Sequence, residues 1–180
     1  MTINITENNS AFLFIDIQEK LVNMLKKDTV AKKAEILAKT ANILNIQTLL
    51  TEQYPKGLGQ TIDSVKQNLN KDSQIIEKTS FNALNTEGVL KELKTKENIF
   101  LLGIETHICV YQTAIALLKE GFNVFVIKDA CASRETDEFI AGINLMEKEG
   151  AKLLTTEMVI FELLKSSKHP KFKEIQALIK

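Results

Sequence analysis

A carboxylate, an ammonium and a thiol each follow directly on an apolar stretch of strand length: Asp16 in AFLFIDIQEKL, Lys78 in IIEKTSFNAL and Cys109 in IFLLGIETHICVYQTA. A cysteine attacks as its thiolate, which forms when a neighbouring base takes the proton or when local positive potential lowers the thiol pKa. The residues around Cys109 read as a strand ending at Gly103, a short turn from Ile104 to His107, and a helix beginning near Cys109. That places the sulfur at a helix N-terminus, where unpaired N–H groups favour an anion and predict a lowered thiol pKa. Each residue also has an ordinary reading: Asp16 as the N-cap of a following helix, Lys78 as a surface charge, Cys109 as a small core side chain. The coincidence of the three at strand ends favours chemistry, because a doubly wound fold assembles its site where different strands finish.

The elements that must position them alternate along the whole chain. Ala11–Ile15, Ile46–Leu50, Gln74–Glu77, Ile99–Leu102, Phe122–Ile127 and Ala151–Leu154 read as strands, several of them apolar on both faces. Strands buried on both faces belong to parallel sheets covered by helices. The intervening stretches carry helical stripes: Ile36, Leu37, Thr40, Ile43 and Leu44; then Val110, Thr113, Ala114, Leu117 and Leu118; then Ile140, Ile143 and Leu145. The pattern predicts a three-layer α/β/α, doubly wound, Rossmann-like domain with a mostly parallel six-stranded sheet. No Pro/Gly/Ser-rich linker or repeat interrupts residues 1–180, so one domain is expected. PKFKEIQALI at 170–179 reads as a last helix packing Phe172, Ile175 and Leu178.

Bulk properties narrow the partners. With 180 residues the chain is able to bury roughly 70% of its unfolded surface. Lys plus Arg and Asp plus Glu balance at 23 each, with no basic arm, so nucleic acid is not an expected partner. Arg134 is the lone arginine, a skew that codon bias explains at least as well as function. No apolar run approaches the roughly 20 residues of a membrane span, and MTINITENNS reads as a short exposed tail, not a signal. Two cysteines without a secretory signal point to reduced thiols and a cytoplasmic location.

Taken together, FIDIQ, EKTSF and GIETHICVYQTA resemble the isochorismatase-like hydrolases, a group that includes nicotinamidases and carbamoylsarcosine amidases. The resemblance covers nearly the whole chain, and TEQYPKGLG at 51–59 with HPKFKEIQALIK at the end is similar to the isochorismatase domain-containing proteins. It implies Asp16 as general base, Lys78 as the residue that holds the charge arrangement, and Cys109 as the attacking group. It further implies a cis peptide between Ile104 and Glu105, and an oxyanion hole from the backbone N–H groups of Glu105 and Cys109. The implied reaction is hydrolysis of a small carbonyl or amide substrate through a thioester, without a cofactor. Two alternatives stay open: hydrolysis of a vinyl ether of the isochorismate type, in which the thiol is not the attacking group, and a binding or scaffold member without turnover. Family members commonly form dimers or larger assemblies, which makes a homo-oligomer the expectation.

Neighbouring residues are weighed on the same footing. His107 lies two positions before Cys109, a spacing that does not bring side chains together on a helix, so a pocket wall or cap suits it better than a Cys-His dyad. Gln18, Tyr54, Phe81 and Tyr111 are the other pocket candidates, each able to serve equally as packing. Nicotinamidase-type members carry a metal on an aspartate and histidines after the second strand; here TEQYPKGLGQTIDSV has no histidine, and no metal site is expected. Cys131 reads as a buried small residue following the fifth strand. Gly57 and Gly59 lack the third glycine of a nucleotide-binding fingerprint.

Overall fold

The computed structural model describes residues 3–25 and 29–180. Its sheet has six strands: β1 (Ser10–Ile15), β2 (Gln47–Gln53), β3 (Gln74–Lys78), β4 (Asn98–Ile104), β5 (Asn123–Ala132) and β6 (Lys152–Leu154). They lie in the order β3-β2-β1-β4-β5-β6, and every adjacent pair is parallel. The sheet is therefore wholly parallel. Every residue of β1 and β4 is buried, as a central strand covered on both faces requires.

Helices α1 (Glu19–Asn23), α2 (Thr29–Ile43), α3 (Pro55–Leu58), α4 (Asp63–Lys66), α5 (Val89–Leu93), α6 (Tyr111–Lys119), α7 (Thr136–Lys148), α8 (Thr156–Leu164) and α9 (Phe172–Gln176) complete the three layers. One face of the sheet is covered by α2 with α4 and α8; the other takes α6 with α7 beside it. Phe12, Phe100 and Phe125 are register partners across β1, β4 and β5, with ring centroids 5.1 and 5.4 Å apart along the row. Such cross-strand aromatic contacts add to the burial that holds the centre of the sheet.

Several sequence expectations are adjusted. Strands β2 and β5 run on through TEQ and through KDACA, so Cys131 lies within β5 and not after it. Between Leu101 and Gly103 the β4–β5 register jumps from Val126 to Cys131, a bulge that leaves Ile127–Ala130 without partners on β4, although Ile127 still pairs with Leu154 of β6. The Asp129 carboxylate in that bulge accepts from the backbone N–H and hydroxyl of Thr156 at the start of α8. On α7, Ile143 is buried as expected, but Ile140 and Leu145 are exposed, and Gly142 and Met146 complete the buried face. Residues 3–10 are not a free tail: Ile5 is buried, and the Asn98 amide donates to the Asn4 carbonyl and the Asn9 side chain. Among the described residues no helix is long and apolar enough to cross a membrane.

Candidate functional site

Strand order reverses between β1 and β4, so their C-terminal ends open the crevice in which doubly wound proteins bind ligands. Asp16 leaves β1 there with φ of 53°, a left-handed conformation that turns the chain sharply off the strand. Its N–H still donates to the Thr51 carbonyl of β2 at 3.1 Å. Its carboxylate is fully buried; Oδ1 accepts from the Thr51 hydroxyl at 2.7 Å and Oδ2 from Lys78 Nζ at 2.6 Å. Lys78 ends β3, two strands away, and its long stem crosses over β2 to reach the carboxylate. Its remaining donors go to Gln53 Oε1 at 2.7 Å and the Ser80 carbonyl at 3.3 Å, so all three ammonium protons are used.

Thr51 and Gln53 alternate along the polar end of β2 and share the face that looks on this pair. Gln53 is fixed in turn: its Nε2 donates to the Thr79 carbonyl at 2.8 Å and its N–H to Gln18 Oε1 at 2.7 Å. Gln18, expected to line a pocket, is fully buried and spends its amide on the Gln53 and Gly59 carbonyls, which makes it a brace for the loop after β2.

The segment that follows β4 begins with a cis peptide between Ile104 and Glu105, then forms a π-helical turn over Thr106–Val110 before α6. Cys109 sits in that turn, 6% exposed, with its thiol close enough to the Asp16 carboxylate and the Lys78 ammonium for both to act on its ionisation. The expected depression of its pKa is not found. Burial, reinforced by the negative charge of Asp16, pushes the thiol up to about 12, and the nearby Lys78 offsets only part of this. Helix-end polarity is outweighed by desolvation because the thiolate would have almost no water around it. Asp16 is also displaced above the ordinary carboxylate range, first by burial, with Lys78 and the hydrogen bond from Thr51 pulling the other way. The resting site is thus a protonated thiol beside a carboxylate of raised basicity, an arrangement suited to proton transfer during attack rather than to a standing thiolate.

The remaining candidates separate. Tyr54, more than half exposed, lines a cavity of about 510 Å³ with Lys78, Thr79, Ser80 and Asn85; neither Asp16 nor Cys109 reaches its wall. Tyr111 borders a different hollow with Asn82 and Gln112, and Phe81 stands exposed. His107 bonds Ser133 Oγ through Nδ1 at 2.9 Å, and its Nε2 is 3.7 Å from Glu138, so the ring is engaged with the β5 loop and α7. Among the described residues no three His, Cys, Asp or Glu side chains gather as metal ligands.

Sequence, fold and switch-point cluster define an α/β protein of the doubly wound class. The chain belongs to the isochorismatase family, whose domain matches residues 10–158. It is 35% identical to isochorismatase family protein 1A of Dictyostelium discoideum over 97% of this chain and 88% of that one. Among solved structures, a Caenorhabditis elegans protein described as MAR1 ribonuclease superposes with a TM-score of 0.95 at 40% identity, covering 98% of this chain and 92% of the other. YcaC of Pseudomonas aeruginosa, solved with hexane-2,5-diol and covalent acrylamide, gives a TM-score of 0.90 at 27% identity, covering 97% and 90%. These similarities place the chain in a family of isochorismatase-like hydrolases.

Proposed function

We propose that the chain is a cysteine hydrolase acting on a small carbonyl or amide substrate, with Asp16, Lys78 and Cys109 as its catalytic residues. The observation that carries the reading is the buried contact set in which Asp16 binds Lys78 at 2.6 Å and stands beside the Cys109 thiol. In the first half-reaction Asp16 takes the thiol proton as sulfur attacks the carbonyl carbon, and the π electrons move to oxygen, held by the backbone N–H groups of Glu105 and Cys109. Collapse expels the amine, which receives the proton from Asp16. In the second, Asp16 deprotonates a water that attacks the thioester, and the departing sulfur recovers that proton. Lys78 keeps a positive charge beside Asp16 throughout, so the carboxylate stays available as a base despite its burial.

The acrylamide adduct of the Pseudomonas YcaC supports the presence of a nucleophile in that relative. The name of the C. elegans relative raises RNA as a substrate; the balanced charge of this chain, 23 against 23, gives that reading no electrostatic support.

A panel of small amides and esters, followed by product release and by intact mass after acid quench, tests the proposal. Turnover with an acyl adduct on Cys109 is expected, with a loss of about two to four orders of magnitude in Asp16→Asn and no adduct in Cys109→Ala. Turnover of these amides and esters that survives Cys109→Ala would mean that water attacks directly, and would overturn the thioester route. Binding without turnover across the panel, or cleavage of RNA alone, would overturn the assignment.

A further inference from the structure

Glu105 is the hinge between the sheet and the turn that carries the sulfur. Its carbonyl oxygen accepts from the N–H of Ile108 at 3.1 Å and of Val110 at 3.3 Å, the two residues that flank Cys109. Its side chain, 8% exposed, is held chiefly from outside the turn: Oε1 accepts from Arg134 Nε at 2.5 Å and Oε2 from the Arg134 backbone N–H at 3.2 Å, while the His107 ring of the turn itself lies 3.6 Å from Oε2. Arg134 comes from the loop directly after β5, which reaches this place because Cys131 and Ala132 resume pairing with Gly103 and Ile104 beyond the bulge. One residue earlier, Ser133 bonds His107, giving a second bridge between the same two segments. A carboxylate fixed at both oxygens by a guanidinium and a main-chain N–H has little rotational freedom, and charge-assisted bonds of this kind are the stronger ones.

We propose that Arg134 is a positioning residue for Cys109, acting through Glu105: the guanidinium fixes the carboxylate, the Glu105 peptide fixes the turn on both sides of the sulfur, and the thiol is thereby kept against Asp16. The inference concerns the placement of the thiol, and it deepens the hydrolase reading without needing turnover to be tested. It also accounts for the single arginine of the chain, since lysine lacks an Nε–H in the fork that meets the carboxylate.

The test is the rate at which acrylamide alkylates Cys109 across neutral and alkaline pH, in the native chain, Arg134→Ala, Arg134→Lys, Glu105→Gln and the Arg134→Ala/Glu105→Gln double variant, each in a Cys131→Ala background. Release of the turn takes the thiol out of its burial and away from the Asp16 charge, the two influences that hold it protonated, so Arg134→Ala and Glu105→Gln are expected to speed alkylation at neutral pH by on the order of tenfold to a hundredfold. The gain should shrink at alkaline pH, where the native thiol ionises as well. Arg134→Lys should show only part of the gain, millimolar guanidinium should reverse part of it in Arg134→Ala, and the double variant should be no faster than either single one. An unchanged or slower rate in Arg134→Ala, or additive gains in the double variant, overturns the inference. If Arg134→Ala does not fold, the near-isosteric Glu105→Gln decides by the same criteria. Failure of the hydrolase reading shows separately, as absence of turnover by the native chain with the alkylation pattern intact.

Discussion

Lys78 Nζ and Asp16 Oδ2 meet at 2.6 Å across 62 residues of sequence, and neither side chain is exposed. Such a pair is costly to break from one side, because the survivor keeps its charge in a place without water. Lys78→Met is therefore expected to destabilise the fold by about 3–5 kcal/mol at neutral pH. Without the cation the raised Asp16 pKa rises further, so the folded state holds a proton that the unfolded state has released. Stability lost by the variant is accordingly regained as pH falls toward the ordinary carboxylate value and lost again as pH rises through the folded one. Urea unfolding of Lys78→Met and of Asp16→Asn/Lys78→Met at acid and neutral pH measures this; a single-variant cost below about 1 kcal/mol at every pH would mean that the pair is solvated.

Asp16 has two opposed effects on the sulfur. It is the proposed proton acceptor, and its negative charge is second only to burial in holding the Cys109 thiol near 12. At neutral pH the resting thiol is therefore held protonated. Asp16→Asn should thus lower the Cys109 pKa while cutting turnover by about the two to four orders of magnitude expected above, so that more thiolate accompanies less activity. Thiolate ultraviolet absorbance titrated in a Cys131→Ala background reads the first quantity and amide hydrolysis the second; a thiol that titrates higher in Asp16→Asn would contradict the arrangement.

The parts of this design legible in the sequence are those with local signatures. AFLFI and IFLL are apolar on both faces because β1 and β4 lie at the centre of the sheet, and the reactive residues at their ends follow from that topology. The C-terminal parts of β2 and β5 carry no such signature: TEQ and KDACA are polar or small, and pairing of TEQ with β3 and of Cys131 and Ala132 with β4 is what carries the two strands on. Thr51 and Gln53 were detectable in principle, as residues spaced by two just beyond an apolar run. The Glu105–Arg134 contact spans 29 residues and crosses a bulge, so no local pattern announces it; the rarity of arginine was the only trace. The thiol pKa was misjudged because the helix end is visible in sequence and the depth of burial is not.

Both cysteines make the fold sensitive to alkali. Burial pushes Cys131, like Cys109, up to about 12, whereas an unfolded thiol ionises near its ordinary value of 9.0. Between those values the unfolded chain releases protons that the folded chain keeps, so stability is full below the lower one and falls as pH rises toward the upper. At pH 10 the loss is on the order of 1 kcal/mol for each thiol. Urea midpoints at pH 8 and pH 10 should draw closer together in Cys131→Ala than in the native chain; an identical pH dependence would show that the thiol ionises as freely when folded.

Two glycines set how closely the site's supports approach one another. At Gly103, with φ of 147°, an added Cβ would stand 2.1 Å from the Ile15 carbonyl oxygen, between the two strands that deliver Asp16 and Cys109. The atoms it would meet are the carbonyl and Cβ of Ile15, none of them a flexible end, and Gly103→Ala is expected to prevent correct pairing of β1 with β4. At Gly142 the new Cβ would lie 2.9 Å from the His107 Cα and 3.0 Å from its nitrogen, where α7 packs on the turn that holds the sulfur. A shift of a few tenths of an ångström relieves this contact, so Gly142→Ala should fold with a loss of about 1–3 kcal/mol. Because the relief displaces either α7 or the turn itself, its alkylation rate at Cys109 should change even where melting shows the chain intact. Loss of stability with an unaltered rate would mean that α7 alone yields and the turn is held from the β5 side.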